Sequence, residues 1–99
     1  MEKYELIDNK ELERYEYRIG EERPHIEYKK KNDGVIFLTH TRLPESLRGK
    51  GIGKSLVKDA LEDIDNQGLK LVPLCGFVAS YIKKNPEWKH LLQQGIYIG

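Results

Sequence analysis

The 99-residue chain contains a single cysteine, Cys75, and three histidines that lie far apart in the sequence. One thiol cannot form an internal disulfide, and these residues show none of the close spacings that are typical of zinc sites. Small domains stabilised by disulfides or by zinc are therefore excluded, and we expect no metal site. The fold has to depend on a hydrophobic core.

The chain also lacks a long apolar run and an excess of charge of one sign. No run approaches the roughly 18 residues of a membrane-spanning helix, and the charged opening residues do not lead into the apolar region of a signal peptide. Seventeen basic and sixteen acidic residues give a net charge of +1, which offers no support for nucleic-acid binding. We therefore expect a cytoplasmic protein with no nucleic-acid and no membrane partner.

The length predicts one domain over residues 1–99, because domains commonly contain about 100–200 residues. Hydrophobic residues make up 38% of the chain and charged residues 33%. A chain of this size buries roughly 60–70% of the surface that it exposes when unfolded. The sequence therefore predicts one small core and excludes a large two-domain enzyme.

Alternation of apolar and polar residues predicts strands in the first half of the chain. The predicted strands cover residues 12–19, 24–30 and 35–41, and a short edge strand covers residues 4–8. Asn32-Asp33-Gly34 predicts a hairpin turn before the third of these strands, since its residues tolerate positive φ.

The second half of the chain changes to a helical period. From Gly51, apolar residues recur on one stripe of a helix, and Gly68 is a candidate left-handed cap at its end. Pro73 cannot donate a hydrogen bond to a ladder, so its strand is predicted at a sheet edge or with a bulge. The predicted elements are a helix over 51–64, a strand over 69–75 and helices over 76–84 and 86–92.

A strand, a helix and a second strand over residues 35–75 require a crossover, which makes the two strands parallel. Their carboxyl ends then share one rim of the sheet, where His40 and Cys75 are expected to lie close together. We therefore predict an α/β (α+β) fold. Its small mixed sheet combines antiparallel N-terminal strands with one parallel pair.

The segment from Arg48 to Lys54 reads Arg-Gly-Lys-Gly-Ile-Gly-Lys and leads into the first helix. Its glycines let the backbone turn and let a ligand approach closely, while the first N–H groups of a helix have no intrahelical partner. Together with the three cations, this pattern favours binding of an anion, above all a pyrophosphate. The alternative is that the glycines only form a tight turn.

Two nucleotide-binding patterns do not fit this loop. A Walker A motif needs a glycine where Arg48 stands, and a GxGxxG fingerprint needs one where Lys54 or Leu56 stands. The residues from Arg48 to Gly53 instead match RxxGxG and resemble the acetyl-coenzyme A pyrophosphate loop of the Gcn5-related N-acetyltransferases.

Further motifs resemble the minimal YjdJ-type acetyltransferase-like branch of this superfamily. They are Thr39-His40-Thr41, Val72-Pro73-Leu74-Cys75, Tyr81 and Asn85-Pro86-Glu87-Trp88. The resemblance covers residues 12–92 and implies a minimal acetyltransferase fold whose parallel strands are splayed around the cofactor, acetyl-coenzyme A. It implies acetyl transfer to an amine. The alternative is a non-catalytic protein that binds coenzyme A or acyl-coenzyme A as a sensor or subunit.

The resemblance also implies roles for single residues. Cys75 is expected to be a nucleophile that forms an acetyl-cysteine, or a polar wall beside the thioester. The expected position of His40 near Cys75, rather than the resemblance, makes it a candidate general base, since an imidazole within reach of a thiol or an amine can accept a proton near neutral pH. The residues expected to contact the cofactor are Thr41, Leu43, Arg48, Gly49, Lys50, Gly51, Ile52, Gly53, Lys54 and Asn85.

Structural roles stay open for the same residues. Cys75 is alternatively an inert buried thiol, and His40 a core residue that shares a strand face with Ile36 and Leu38. Tyr81 either packs in the core or donates a proton to the pantetheine sulfur, and Asn85 either caps a helix or binds coenzyme A. Trp88 is expected to fill the core.

The sequence departs from full-size members of the superfamily. It lacks the helices between the first strands and the strands after the second core helix that shape the acceptor site, and no glutamate corresponds clearly to their base. The acceptor, a small-molecule or peptide amine, and the oligomeric state are therefore not identified by the resemblance.

Overall fold

The structure, a computed structural model, describes residues 3–98, so residues 1, 2 and 99 of the predicted domain lie outside it. Within the described part, a five-stranded sheet packs with two α-helices. The strands are β1 (Ile7–Asn9), β2 (Arg14–Glu16), β3 (His25–Lys30), β4 (Val35–Arg42) and β5 (Lys70–Pro73). The helices are α1 (Ile52–Asn66) and α2 (Gly76–Lys84), with 3₁₀ helices over Glu45–Leu47 and Pro86–Leu91.

The sheet has the strand order β1-β2-β3-β4-β5. Each of the first four strands pairs antiparallel with the next, and β4 pairs parallel with β5 through α1. The predicted mixed sheet with one parallel pair is confirmed. Pro73 lies on β5 at the edge of the described sheet, the position that its missing N–H favours.

Helix α1 buries the apolar stripe that predicts it. Its buried residues are Ile52, Gly53, Leu56, Val57, Ala60, Leu61 and Ile64. At its end Gly68 has φ +71°, and the N–H of Leu69 donates to the carbonyl of Ile64 at 3.2 Å. A left-handed glycine that ends a helix in this way confirms the predicted cap. No helix among residues 3–98 is long and apolar enough to span a membrane.

Several strands differ from their predicted bounds. The strand predicted over 12–19 is regular only over β2, although Tyr17 N–H still donates to the carbonyl of Pro24 at 3.1 Å. Pro24 has no N–H with which to return a ladder bond, so regular pairing ends there. The edge strand predicted over 4–8 lies instead at Ile7–Asn9.

The pairing of β3 with β4 contains a bulge. Tyr28 lies opposite Leu38, but Glu27 lies opposite His40, so Thr39 is an extra residue on β4. An extra residue in one strand shifts the alternation of side chains by one position. The faces of β4 are therefore exchanged beyond Leu38.

This exchange corrects the predicted position of His40. Its side chain is exposed and shares the face of the exposed Glu27, its partner in the ladder, whereas Ile36 and Leu38 are buried. Thr41 instead lies opposite the buried Ile26, on the core side. The expectation that His40 shares a face with Ile36 and Leu38 is wrong.

Three buried tyrosines connect the sheet to acidic side chains. The hydroxyl groups of Tyr15, Tyr17 and Tyr28 donate to the carboxylates of Asp63, Asp59 and Asp8, respectively. Burial of the phenols and the hydrogen bonds to these carboxylates raise the pKa of all three tyrosines well above its usual value. The hydrogen bonds to the carboxylates are thus present only while the phenols are protonated.

We expect the protein to lose stability above about pH 10, where the tyrosines of the unfolded chain ionise and those of the folded chain do not. The folded state then binds more protons than the unfolded state, so the free energy of unfolding falls as the pH rises. The loss is up to about 1.4 kcal/mol per pH unit for each phenol. Urea unfolding followed by circular dichroism at about pH 8 and about pH 11 measures it.

The matched control for this prediction is Tyr17→Phe, which removes one ionisable hydroxyl and keeps the ring. This variant is expected to be less stable at about pH 8 but to lose less stability between the two pH values. Equal stability of the wild-type protein at both values would contradict the prediction.

Candidate functional site

The glycine-rich loop joins the end of β4 to α1. Leu47, in the 3₁₀ helix that begins this connection, is buried, whereas the residues from Arg48 to Gly51 are exposed. Gly49 and Gly51 have φ +78° and +76°, a backbone region that side chains other than glycine rarely adopt. The loop is therefore anchored in the core and turns its backbone toward solvent.

The start of α1 is electrostatically unusual. Gly51 is the N-cap residue, no side chain among residues 3–98 caps the helix, and the first turn contains no acidic residue. Lys54 occupies that turn instead. Helix starts are ordinarily stabilised by polar caps and by acidic side chains that complement the positive end of the helix dipole. This start has neither, so its positive field is open to an external anion.

The structure explains the glycine at position 53 differently from the sequence, which predicted a role in the turn of the loop. Its φ is not positive, and it is buried in the first turn of α1. A Cβ atom at this position would lie 2.8 Å from Cζ of Phe77 and 3.4 Å from Cδ2 of Leu43. Gly53 therefore provides space for the ring of Phe77, so that α2 can approach α1.

The parallel strands separate at their carboxyl ends. Their pairing ends where Leu38 lies opposite Pro73, and the carbonyl of Leu38 accepts hydrogen bonds from the N–H groups of Leu74 and Cys75, both at 3.0 Å. Strand β4 continues to Arg42. In the described sheet its last residues have no strand neighbour on the β5 side, which leaves free backbone groups at the rim.

Cys75 lies at this rim, two residues after the end of β5, and not within a strand as the predicted strand over 69–75 placed it. It is the N-cap residue of α2, a helix that no side chain in the described part of the chain caps, and the Cys75 side chain is half-buried. Its Sγ lies 3.0 Å from Oγ1 of Thr41. The thiol is therefore close to both a hydroxyl group and the first N–H groups of a helix.

The residue of β4 that contacts Cys75 is Thr41 and not the predicted His40. Beyond the bulge His40 lies on the other face of β4, and its side chain forms no hydrogen bond or ion pair with residues 3–98. The expected contact between His40 and Cys75 is thus replaced by the contact between Thr41 and Cys75. A general-base role for His40 stays a prediction.

A groove of about 800 Å³ runs between α1 and α2 and begins at the glycine-rich loop. Of the residues predicted to contact the cofactor, Gly51, Lys54 and Asn85 line this groove. The other predicted contacts lie on the exposed loop (Arg48, Gly49 and Lys50), in the buried first turn of α1 (Ile52 and Gly53) and at or just after the free end of β4 (Thr41 and Leu43). Two regions, the groove and the rim, therefore meet at the loop.

The groove also contains residues that the sequence did not indicate. Among them are Ser55 and Asp59 of α1, whose side chains both contact the hydroxyl of Tyr17, and Phe77 of α2. A signal was present, because Gly51, Ser55 and Asp59 recur every four residues beside the apolar stripe. The position of α2, which forms the other wall, could not be read from this spacing.

Tyr81 and Asn85 line the groove from α2 and its end. Burial and the charge of Glu87 raise the pKa of Tyr81, so its hydroxyl stays protonated at neutral pH. The side-chain amide of Asn85 donates to the carbonyl of Tyr81 at 2.9 Å. Asn85 therefore supports the end of α2, as its capping alternative predicts, while it also faces the groove.

The histidines and the cysteine are dispersed in the described structure. Among residues 3–98 no group of three or more histidine, cysteine, aspartate or glutamate side chains is arranged to hold a metal ion. His25 is buried, and its Nδ1 lies 2.7 Å from the carbonyl oxygen of Arg23. His90 is on the surface, where its Nε2 lies 3.2 Å from Oδ2 of Asp65.

Comparison with known proteins adds independent information. A model of the GCN5-related N-acetyltransferase family matches residues 14–91. The chain is 38% identical to Protein NATD1 of Gallus gallus over 52 residues, which are 52% of this chain and 47% of that protein. It is 33% identical to Protein NATD1 of Danio rerio over 57 residues, 58% of this chain and 52% of that protein. The chain thus matches about half the length of these relatives.

The fold matches a solved structure over nearly its whole length. The NMR structure of a GCN5-like protein from Staphylococcus aureus superposes with a TM-score of 0.71, covering 98% of this chain and 94% of that one at 22% sequence identity. This likeness concerns the fold, whereas the family model matches the sequence across the loop, the splayed strands and α2. The chain therefore belongs to the GCN5-related N-acetyltransferase family.

Proposed function

We propose that the protein transfers an acetyl group from acetyl-coenzyme A to a small-molecule or peptide amine. The observation that carries the proposal is the start of α1, which has Lys54 but no acidic residue in its first turn and receives no side-chain cap from the residues that the structure describes. A diphosphate would supply the negative charge that this helix start lacks. Membership of an acetyltransferase family supports acyl transfer as the reaction.

In this proposal the loop from Arg48 to Lys54 holds the pyrophosphate. The free edge of β4, from Thr41 toward Leu43, pairs with the amides of the pantetheine arm. The fit rests on two features of the chain: an uncapped helix start for the phosphates and unpaired strand backbone for the amides. The thioester then lies at the rim, beside Cys75.

Cys75 has the chemistry of an acyl acceptor. Its sulfur would attack the thioester carbonyl, the bond from that carbonyl to the coenzyme A sulfur would break, and coenzyme A would leave as a thiol. The amine would then attack the acetyl-cysteine, and the thiol of Cys75 would be restored. The unpaired N–H groups at the start of α2 are suited to stabilise the negative oxygen in both steps.

The remaining residues have supporting roles in the proposal. Thr41, at 3.0 Å from the sulfur, fixes its position. His40 faces the exposed side of the sheet, opposite Glu27, where it could accept a proton from an amine that approaches from that side. Tyr81 is protonated at neutral pH and lines the groove, but its hydroxyl is not needed for the transfer to balance.

A second candidate is a coenzyme A binding protein without turnover. The observation that favours it is that, among residues 3–98, Cys75 has a hydroxyl group as its hydrogen-bond partner and no histidine or carboxylate. Such a protein would bind acetyl-coenzyme A through the same loop and release no thiol.

We expect acetyl-coenzyme A, at a hundred times its dissociation constant, to raise the melting temperature by about 10 °C or more. The same mixture with a panel of polyamines, amino acids and peptides should release free coenzyme A continuously with at least one amine, as detected by a thiol reagent. Replacement of Lys30, which is exposed and distant in sequence from the loop, should change neither result.

The outcomes separate the two candidates. A shift in melting temperature with no thiol release for any amine would favour the non-catalytic protein. No shift at all would overturn the proposed function.

A further inference from the structure

The groove between α1 and α2 contains an excess of positive charge. It is lined by Lys3, Lys54, Lys58 and Lys84. Among residues 3–98, Lys58 forms an ion pair, with Glu62 at 4.0 Å, and the other three lysines form none. One of the carboxylates in the groove, that of Asp59, accepts the hydrogen bond of Tyr17.

This charge is local, because the whole chain has a net charge of only +1. Ammonium groups that converge on one cleft repel one another and create a positive potential inside it. An anion that enters the cleft removes this repulsion. The groove is therefore suited to bind a negatively charged group, in addition to the anion that the glycine-rich loop is proposed to bind.

The volume and the charge pattern indicate a small ligand. A groove of about 800 Å³ lies within the range of sites for small molecules, about 300–1,000 Å³. Asp59 and Glu62 interrupt the line of lysines along α1, so the groove does not offer the continuous basic path that a nucleic-acid backbone needs.

The two helices place a pair of lysines away from the loop. Both helices begin at the rim, where the ring of Phe77 packs against Gly53, and residues farther along each helix, Asp59 and Tyr81, line the same groove. At about 1.5 Å per residue, Lys58 and Lys84 lie about 9 and about 12 Å along their helices from the first helical residues, Ile52 and Gly76. Both line the groove at positions farther along their helices than that of Lys54 in the first turn of α1.

We propose that Lys84, assisted by Lys58, binds the 3′-phosphate on the nucleotide part of coenzyme A. This contact would make the protein selective for coenzyme A over its 3′-dephospho form. The inference rests on the proposed function, because it assumes that the pyrophosphate of the same ligand occupies the loop. Lysine binds phosphate as a point charge and needs no fixed geometry. A flexible side chain at the end of α2 is therefore sufficient.

The test compares the dissociation constants of acetyl-coenzyme A and acetyl-3′-dephospho-coenzyme A, measured by isothermal titration calorimetry at low salt. The wild-type protein should bind the 3′-phosphorylated compound about fivefold more tightly, the effect of one exposed ion pair. Lys84→Gln should lose this preference by weakening only the phosphorylated compound. Lys83→Gln is the matched control, since Lys83 is the exposed neighbour that does not line the groove.

The possible results distinguish failure of this inference from failure of the proposed function. Equal binding of the two compounds by the wild-type protein would overturn the inference and leave the proposed function intact. The same holds if Lys84→Gln weakens both compounds equally, or if Lys83→Gln also loses the preference. If neither compound binds, the proposed function fails and this inference fails with it. Thermal unfolding of both variants verifies that they are folded.

Discussion

Replacing Gly51 with aspartate is expected to weaken binding of acetyl-coenzyme A about a hundredfold or more, whereas asparagine should weaken it about tenfold or less. Gly51 has φ +76°, and asparagine and aspartate are the side chains that best tolerate this region. The two have the same shape and differ in charge. A carboxylate at the N-cap of α1 would lie where the proposed pyrophosphate binds, and at about 5 Å and an effective dielectric of about 20 it would oppose each phosphate charge by about 3 kcal/mol.

The stability of the two variants provides the control. A negative charge at a helix start interacts favourably with the helix dipole, so Gly51→Asp should be at least as stable as Gly51→Asn. Loss of binding by the aspartate variant could not then be explained by unfolding. Calorimetric titration and thermal unfolding of both variants measure the two effects. Equal affinities of Gly51→Asp and Gly51→Asn would show that no anion binds at this helix start.

The parts of the fold that could be predicted from the sequence depend on local patterns. The apolar stripe predicts α1 almost to the residue, and Gly68 predicts its end. The crossover from β4 to β5 follows from the order of the elements and from the handedness of such connections. It was sufficient to place Cys75 at the correct rim.

The partner of Cys75 could not be predicted in the same way. Which residue of β4 faces the rim depends on a single extra residue, Thr39, and a bulge arises from the pairing of two strands. A shift of one residue exchanges His40 with Thr41 at the sulfur. The composition of β4 contains no sign of it, because a bulged strand and a regular strand both read as β-branched and apolar residues.

The contacts between the two helices could not be predicted from the sequence either. Gly53 looks like part of a flexible loop, yet its missing side chain provides space for Phe77 of α2. Lys84 reads as one of two basic residues at a helix end, and only the packing of α2 against α1 separates it from Lys83. Such distinctions depend on tertiary packing, which the helical period alone does not specify.

Replacing Cys75 with alanine is expected to lower the turnover of acetyl transfer about a thousandfold or more, because the proposed reaction forms its covalent intermediate on this sulfur. The dissociation constant for acetyl-coenzyme A should change little, since the phosphates are held at the loop. In the wild-type protein without an amine, mass spectrometry should detect one acetyl group on Cys75 and the release of one equivalent of coenzyme A. Full activity of Cys75→Ala would eliminate the covalent route and leave direct transfer to the amine.

Alkylation by iodoacetamide tests the surroundings of the sulfur separately from turnover. Because Cys75 is only half-buried and lies at a helix start, its thiol should react in the native protein, and bound acetyl-coenzyme A should protect it. Because the sulfur lies 3.0 Å from the hydroxyl of Thr41, Thr41→Val should change the rate of alkylation several-fold. His40→Ala should leave this rate unchanged and slow only the amine-dependent step, since His40 lies on the other face of β4. If His40→Ala instead slowed alkylation relative to the wild-type protein, the histidine would lie at the thiol, which would contradict the orientation set by the bulge.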